Sequence, residues 1–132
     1  MKYKIFDLLL NMSQKKIFVF DDSKDILEGM KMFLELKEYK VRTKDNVNNI
    51  MQEITDFEPD LIILDIYLKG EDGRQLCKKI KQSYKSNPPK IILFSAAAHA
   101  LEDYHLFGAD DCLEKPFGLT DVYTKIETLL PQ

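Results

Sequence analysis

The stretch Lys16-Ile17-Phe18-Val19-Phe20-Asp21-Asp22-Ser23-Lys24-Asp25 (KIFVFDDSKD) runs from four apolar residues directly into two adjacent carboxylates. The apolar run is short, continuous and rich in β-formers, which is typical of a strand buried on both faces. Neighbouring acids repel each other and resist desolvation, so a fold tolerates them best where a cation or solvent neutralises them. The stretch therefore predicts a buried strand that ends at a charged site.

Strand and helix signals alternate along the rest of the chain. The runs Leu61–Leu64 and Ile91–Phe94 repeat the buried-strand signature, Val41 marks a weaker edge strand, and Asp111–Glu114 predicts a short last strand. Apolar residues at helical spacing predict five helices, over residues 26–34, 47–57, 76–84, 98–107 and 119–130. Ser23 is placed to cap the first helix. Together these signals predict five βα units.

This alternation predicts an α/β fold in which helices cover both faces of a parallel sheet, because crossovers between parallel strands are right-handed. Ligands of such sheets bind at the carboxyl ends of the strands. Asp21 and Asp22 end the first strand, Asp65 ends the third, Ser95 ends the fourth, and Lys115 follows the fifth. We therefore expect these five residues to converge on one edge.

Three carboxylates at neighbouring strand ends are the hard oxygen ligands that a small cation such as Mg²⁺ prefers. Of the adjacent pair Asp21 and Asp22, one can bind the ion directly while the other orients it through water. Asp65 can act as a carboxylate nucleophile and form an aspartyl phosphate. Lys115 offers a positive charge to the phosphoryl oxygens and the Ser95 hydroxyl offers a hydrogen bond.

Five motifs in chain order resemble the receiver domain of two-component response regulators, and the resemblance extends from Lys16 to Leu130. The motifs are Phe20-Asp21-Asp22, Leu61-Ile62-Ile63-Leu64-Asp65, Asp72-Gly73, Phe94-Ser95-Ala96, and Gly108-Ala109-Asp110-Asp111 leading to Lys115-Pro116-Phe117. One motif alone would be weak evidence, whereas five at the expected strand ends are specific.

The resemblance implies a flavodoxin-like, doubly wound (βα)5 parallel sheet with strand order 2-1-3-4-5. It implies that Asp65 is phosphorylated by a histidine kinase or a phosphotransfer protein, and that the domain then acts on an unknown downstream protein through protein–protein contacts. Such a domain catalyses only its own phosphorylation and dephosphorylation, so we do not expect a conventional enzyme.

The resemblance also assigns roles to individual residues. The implied Mg²⁺ ligands are Asp21, Asp22, Asp65 and the backbone carbonyl of Tyr67. The implied phosphoryl contacts are Ser95, which would swing toward the phosphoryl group as the switch, and Lys115, which a cis Lys115–Pro116 bond would aim into the site.

The sequence departs from the family pattern at three places. Cys112 stands where the family usually has the Tyr or Phe that follows the switch residue, which puts the aromatic readout in doubt. Lys69 stands where proline is common and Gly70 follows it, which predicts a more mobile loop. Tyr67 is bulky enough to screen water from the phosphoryl group, which predicts slow self-dephosphorylation.

Composition excludes several classes of function. The 132 residues carry 19 basic and 22 acidic side chains, a formal net charge of −3, so direct binding to nucleic acid is not expected. No segment has the apolar length of a membrane helix. Cys77 and Cys112 lack metal-ligand spacing and predict reduced thiols. We expect a soluble, cytoplasmic protein that is a monomer or a weak dimer.

The chain divides into two parts. Residues 1–15 predict an N-terminal extension, either a docking or dimerising arm or an incidental, disordered tail. Residues 16–132 predict one receiver domain, with no residues left for an output domain.

Two other functions stay open from the sequence. A receiver-like module could bind partners without phosphorylation, which Cys112 and the atypical loop allow. A phosphohydrolase of the haloacid-dehalogenase type also uses a strand-end Asp nucleophile, but it needs a second acid two positions later, where this chain has Tyr67.

Overall fold

A computed structural model describes Ile5 and residues 14–131 of the chain. The predicted N-terminal extension therefore lies outside the described residues except for Ile5, Gln14 and Lys15. Five strands of one sheet and four α-helices alternate in the described part: β1 Lys16–Phe20, α1 Lys24–Leu36, β2 Lys40–Lys44, α2 Ile50–Phe57, β3 Leu61–Asp65, α3 Gly73–Gln82, β4 Lys90–Ser95, β5 Asp111–Glu114 and α4 Leu119–Leu129.

The five strands form one parallel sheet in the order β2-β1-β3-β4-β5. This is the predicted 2-1-3-4-5 order, and it confirms the flavodoxin-like fold. The strand around Val41 lies at the edge, as predicted. In register, Phe20 pairs with Leu64 and Asp65 pairs with Phe94, so the acids that follow β1 and end β3 are brought to the same edge of the sheet.

Alternating side chains of the central strands divide the core into two layers. Ile17 and Val19 of β1 pack with buried residues of α1 and α4, including Leu34 and Ile126. Phe18 and Phe20 point to the opposite face, where they pack with residues of α2 and α3. Because both faces of β1, β3 and β4 are covered, their sequences are continuously apolar, which is the pattern read from the sequence.

A cap sets the start of one helix and a turn sets the start of the next. The Ser23 hydroxyl accepts a hydrogen bond from the Ile26 N–H, so the predicted cap of α1 is confirmed. The second helix begins at Ile50 instead of Val47. Asn49 before it has a left-handed backbone and makes no side-chain cap bond, and the Asn46 side chain accepts from the Asn48 N–H in a turn that takes up the predicted first residues.

The predicted helix over residues 98–107 is wrong as an α-helix. The segment instead forms two short 3₁₀-helices, Ala98–Leu101 and Tyr104–Phe107, and ends as predicted at Gly108, whose φ is +85°. The covered side chains Leu101, Tyr104 and Phe107 recur every three residues. That spacing matches the three residues per turn of a 3₁₀-helix, in which positions i and i+3 lie above one another.

The loop after β3 forms a small antiparallel hairpin of Tyr67–Leu68 and Glu71–Asp72. Its two central residues both have positive φ, +42° at Lys69 and +87° at Gly70. Two such residues are the signature of a type I′ turn, which glycine favours at its second position. The greater mobility predicted for this loop stays a prediction.

Gly73 begins α3 directly beneath the end of β3. A Cβ at this position would overlap the Asp65 carbonyl oxygen and come within 2.8 Å of Ile66 Cα. The Gly73 N–H also donates to the Ile66 carbonyl oxygen over 2.6 Å. Glycine is therefore required for the helix to approach the strand that carries Asp65. Among the described residues, no helix is long and apolar enough to cross a membrane.

We expect Gly73→Ala to lower the free energy of unfolding by about 1–3 kcal/mol, because the methyl group has to displace backbone atoms. Urea denaturation measures the effect. The matched control is Gly29→Ala at an exposed position of α1, where an added Cβ meets nothing within 4 Å and where alanine is expected to add about 0.5–1 kcal/mol. Equal effects of the two substitutions would contradict the steric argument.

Candidate functional site

The carboxyl edge of the sheet carries a compact acidic cluster. One carboxylate oxygen from each of Asp21, Asp22 and Asp65 lies within 4.8 Å of the others, and these are the residues of the described part of the chain that could hold a metal ion as a group. Asp21 and Asp65 are buried and Asp22 is exposed. The structure thus brings the three predicted acids together at an opening to solvent.

Lys115 lies between the two buried acids. Its Nζ is 2.8 Å from Asp21 Oδ2 and 3.0 Å from Asp65 Oδ2. The Lys115–Pro116 peptide bond is cis. Burial acts to lower the pKa of Lys115, but its contacts with the Asp21 and Asp65 carboxylates outweigh it, so the pKa is raised. The lysine therefore stays charged at neutral pH.

The Asp65 carboxylate is held from two sides. Oδ2 accepts a hydrogen bond from Lys115 Nζ, and Oδ1 accepts one from the Tyr67 N–H over 3.2 Å. Burial raises the pKa of Asp65. The hydrogen bond and the charge of Lys115 lower this pKa, whereas the charge of Asp21 raises it. The net pKa lies above the ordinary value. The deprotonated carboxylate is thus destabilised by its surroundings. In this environment the Asp65 carboxylate is favoured to react or to bind a cation.

The remaining predicted residues lie at the same edge or behind it. Ser95 is buried at the end of β4, and its hydroxyl accepts a hydrogen bond from the Ala97 N–H over 3.0 Å. The Lys115 N–H donates to the Ser95 carbonyl oxygen over 2.9 Å, which ties the two loops together. Cys112 is half-buried in β5 against the core. Burial, then the charge of Asp111, raises its pKa, so its thiol stays protonated.

Sequence reasoning missed the aromatic support beneath the lysine. Lys115 Nζ lies 4.7 Å from the ring centroid of Phe94, and the Phe117 ring packs edge-on against Phe94 at 5.7 Å. A cation over an aromatic face is attracted by the ring quadrupole. The sequence places Phe94 in a buried strand and in the motif Phe94-Ser95-Ala96, but neither predicts its contact with Lys115. The signal that was available is Phe117, which follows Lys115 by two positions.

The residues present fit a divalent cation. Asp21 Oδ1 accepts a hydrogen bond from the Ser23 N–H. The buried Asp21 Oδ2 accepts no hydrogen bond from the described residues, although it lies close to the Lys115 ammonium. Three carboxylates and one ammonium leave a formal charge of −2 when all four are ionised. A hard divalent ion matches both this charge and the oxygen ligands.

A five-stranded parallel sheet with acids and a lysine at its carboxyl edge defines a class of protein, and comparison with known families identifies it. The family model described as the response regulator receiver domain matches residues 17–127. The chain belongs to this family, and the predicted resemblance is confirmed.

Individual relatives agree with this assignment. The chain is 38% identical over 116 residues to the nisin biosynthesis regulatory protein NisR of Lactococcus lactis subsp. lactis, which covers 85% of this chain and 48% of that protein. The chain thus spans about half the length of this curated relative. A two-component response regulator from Clostridium difficile superposes with a TM-score of 0.81 at 30% identity, covering 90% of this chain and 98% of the other.

A third relative is a solved complex. The response regulator TrrA from Thermotoga maritima, in complex with Mg²⁺–BeF, superposes with a TM-score of 0.79 at 31% identity, covering 89% of this chain and 100% of that chain.

The raised pKa of Asp65 predicts how stability depends on pH. A carboxyl whose folded pKa lies above its unfolded value contributes stability at low pH, and this contribution is lost as pH rises through the folded pKa. At neutral pH without divalent ions, we therefore expect Asp65→Asn to be more stable than the wild type. The advantage should vanish as pH falls toward about 4, near the ordinary carboxyl pKa. Urea midpoints in EDTA at several pH values measure it.

Asp72→Asn is the matched control of opposite sign. The hydrogen bond of Arg74 to Asp72 is the largest cause that holds the pKa of Asp72 below its ordinary value. Its contribution is present at neutral pH and is lost as pH falls through the folded pKa, so this variant should be less stable than the wild type at neutral pH. The same sign for both variants would contradict the electrostatic account.

Proposed function

We propose that this receiver domain is the phosphoacceptor of a two-component system and that Asp65 is the residue phosphorylated, by a histidine kinase or a phosphotransfer protein. The observation that carries the proposal is the position of the Asp65 carboxylate, within 4.8 Å of two further acids and 3.0 Å from the Lys115 ammonium. The modified domain would then act through contacts with a downstream protein.

Asp21, Asp22, Asp65 and the Tyr67 carbonyl would hold Mg²⁺, which would neutralise charge on the transferring phosphoryl group. The chain's own residues supply the rest. Asp65 is kept reactive by burial and oriented at Oδ1 by the Tyr67 N–H, so one oxygen is fixed while the other faces the lysine.

Lys115 has a second task in the proposed reaction. Its ammonium pairs with Asp21 and Asp65 before transfer, and after transfer it would bind a phosphoryl oxygen through the same donors. The Phe94 ring beneath it limits where the ammonium can move. Ser95 would offer its hydroxyl to another phosphoryl oxygen. Its hydroxyl accepts from the Ala97 N–H, a bond that would break as the side chain turns to donate its proton to the phosphoryl group.

The phosphoacceptor is tested by incubating the chain with Mg²⁺ and acetyl phosphate and measuring intact mass. We expect a gain of one phosphoryl group in the wild type, none in Asp65→Asn, and none in EDTA. Asp56→Asn, which removes an exposed carboxylate of α2, is the matched control and should behave as the wild type. Undiminished modification of Asp65→Asn would overturn the proposal.

The rate of self-dephosphorylation should depend on Tyr67. This side chain is 53% exposed two positions after Asp65, where it can shield the phosphoryl group from attacking water. We expect Tyr67→Asn to shorten the half-life of the phosphorylated form several-fold, measured by mass spectrometry after donor removal. Tyr67→Phe keeps the ring and should preserve the half-life. An unchanged half-life in Tyr67→Asn would show that the ring does not shield the site.

A further inference from the structure

The Lys115 side chain is anchored firmly at its backbone and loosely at its ammonium. The Lys115 N–H donates to the Ser95 carbonyl oxygen over 2.9 Å, which fixes the start of the side chain at the end of β4. From there the ammonium reaches the carboxylates of Asp21 and Asp65. A lysine ammonium sits at the end of a flexible four-carbon chain, so the backbone bond alone does not determine where the charge lies.

Packing leaves free space beside this side chain. Lys115 lines an open cavity of about 390 Å³, whose other lining residues are Ile26, Ala96, Pro116 and Phe117. A flexible side chain next to such a cavity can leave its partners at little steric cost. The ammonium is therefore kept at the acids by attraction and not by confinement.

The Phe94 ring is an uncharged group that attracts this ammonium. The ring centroid lies 4.7 Å from Lys115 Nζ, within the distance of about 6 Å over which a ring face attracts a cation. The ring adds no negative charge to a site that already contains three carboxylates. It also offers no oxygen to a hard divalent cation, so it would hold the lysine without competing for the ion.

The ring is itself held in place relative to the nucleophile. Phe94 is fully buried, and the Phe117 ring packs against it with 64° between the two ring planes. The Phe94 carbonyl oxygen accepts a hydrogen bond from the Ile66 N–H over 3.0 Å, and Phe94 is the register partner of Asp65 in the sheet. Phe94 therefore joins the strand end that carries Asp65 to the lysine that faces it.

We infer that Phe94 is a positioning residue for phosphoryl transfer, whose ring holds the Lys115 ammonium beside the Asp65 carboxylate by cation–π attraction. The inference rests on the proposed function of Asp65. The ring acts only through the lysine. An ammonium that is already held beside Asp65 meets the incoming phosphoryl group without first returning from the free space next to it, which lowers the entropic part of the barrier.

The test changes the electronic character of the ring and keeps its packing. Trifluorophenylalanine at position 94 has nearly the shape of phenylalanine, but fluorine withdraws electron density from the ring face and so weakens its attraction for a cation. Phe94→Leu is less specific, because it would also leave a cavity in the core. The matched control is the same replacement at Phe20, which is also fully buried and stacks on Phe18 with ring centroids 4.2 Å apart.

Stability in the absence of metal tests the contact between ring and lysine. In EDTA at neutral pH, fluorination at position 94 should lower the urea midpoint more in the chain with Lys115 than in Lys115→Met, because only the former has the ammonium. Fluorination at position 20 should have the same effect in both backgrounds. Equal effects at position 94 would show that the ring only packs, and would overturn the inference.

The rate of phosphorylation tests the role in the reaction. With acetyl phosphate and saturating Mg²⁺, fluorination at position 94 should slow the initial gain of phosphoryl mass about threefold to tenfold, in line with the loss of a partly desolvated cation–π contact. Fluorination at position 20 should leave the rate unchanged. An unchanged rate at position 94 would overturn the inference. No phosphoryl gain in the unsubstituted chain would instead contradict the proposed function, and the measurement in EDTA would still decide whether the ring holds the lysine.

Discussion

The site depends on one ammonium group placed between two buried carboxylates. Lys115 Nζ is about equally close to Asp21 and Asp65, at 2.8 and 3.0 Å. Two unit charges about 4 Å apart interact by about 4 kcal/mol at an effective dielectric constant of about 20. Without the lysine, the repulsion between the acids would add to the cost of burying them. Removal of Lys115 would therefore leave two uncompensated charges, a larger effect than the loss of an exposed ion pair.

Lys115 balances the negative charge of the site only in part, and the charge that remains is what can attract a cation. One lysine cannot neutralise three carboxylates, and the pKa of Asp65 stays raised despite its contact with the ammonium. A site with a residual formal charge of −2 favours a divalent cation, and a carboxylate that its surroundings disfavour as an anion is a good phosphoryl acceptor in energetic terms. The same residues thus support both the proposed metal binding and the proposed nucleophilic chemistry.

The backbone holds these groups in place through strand pairing and main-chain contacts. Parallel pairing sets the register of β1, β3 and β4, so that Asp21, Asp65 and Ser95 lie at the same edge of the sheet. Gly73 lets α3 pass directly against the Asp65 backbone. The bond from the Lys115 N–H to the Ser95 carbonyl oxygen fixes the lysine loop to the end of β4.

The sheet and the residues at its edge could be predicted because they leave strong local signals. A strand buried on both faces reads as an unbroken apolar run, and a polar residue that follows such a run is placed at the edge by the strand itself. The segment 98–107 could not be assigned in the same way. Its covered residues Leu101, Tyr104 and Phe107 recur every three residues. Over a segment of ten residues, this spacing and the α-helical spacing diverge by only about two positions, so the two patterns are hard to tell apart. Contacts that join distant residues, such as Lys115 over Phe94, leave no local pattern.

That segment also bears on how a receiver domain with Cys112 could transmit a signal. In the proposed function Ser95 turns its hydroxyl toward the phosphoryl group, and its present partner is the Ala97 N–H immediately before the first 3₁₀-helix. Short 3₁₀-helices have poorer hydrogen-bond geometry than α-helices, and segments with few strong bonds open at low free-energy cost. Loss of the Ser95–Ala97 bond would therefore act directly on residues 98–107. The proposed step would not require an aromatic side chain at position 112, because the serine itself is bonded to Ala97 at the start of this segment.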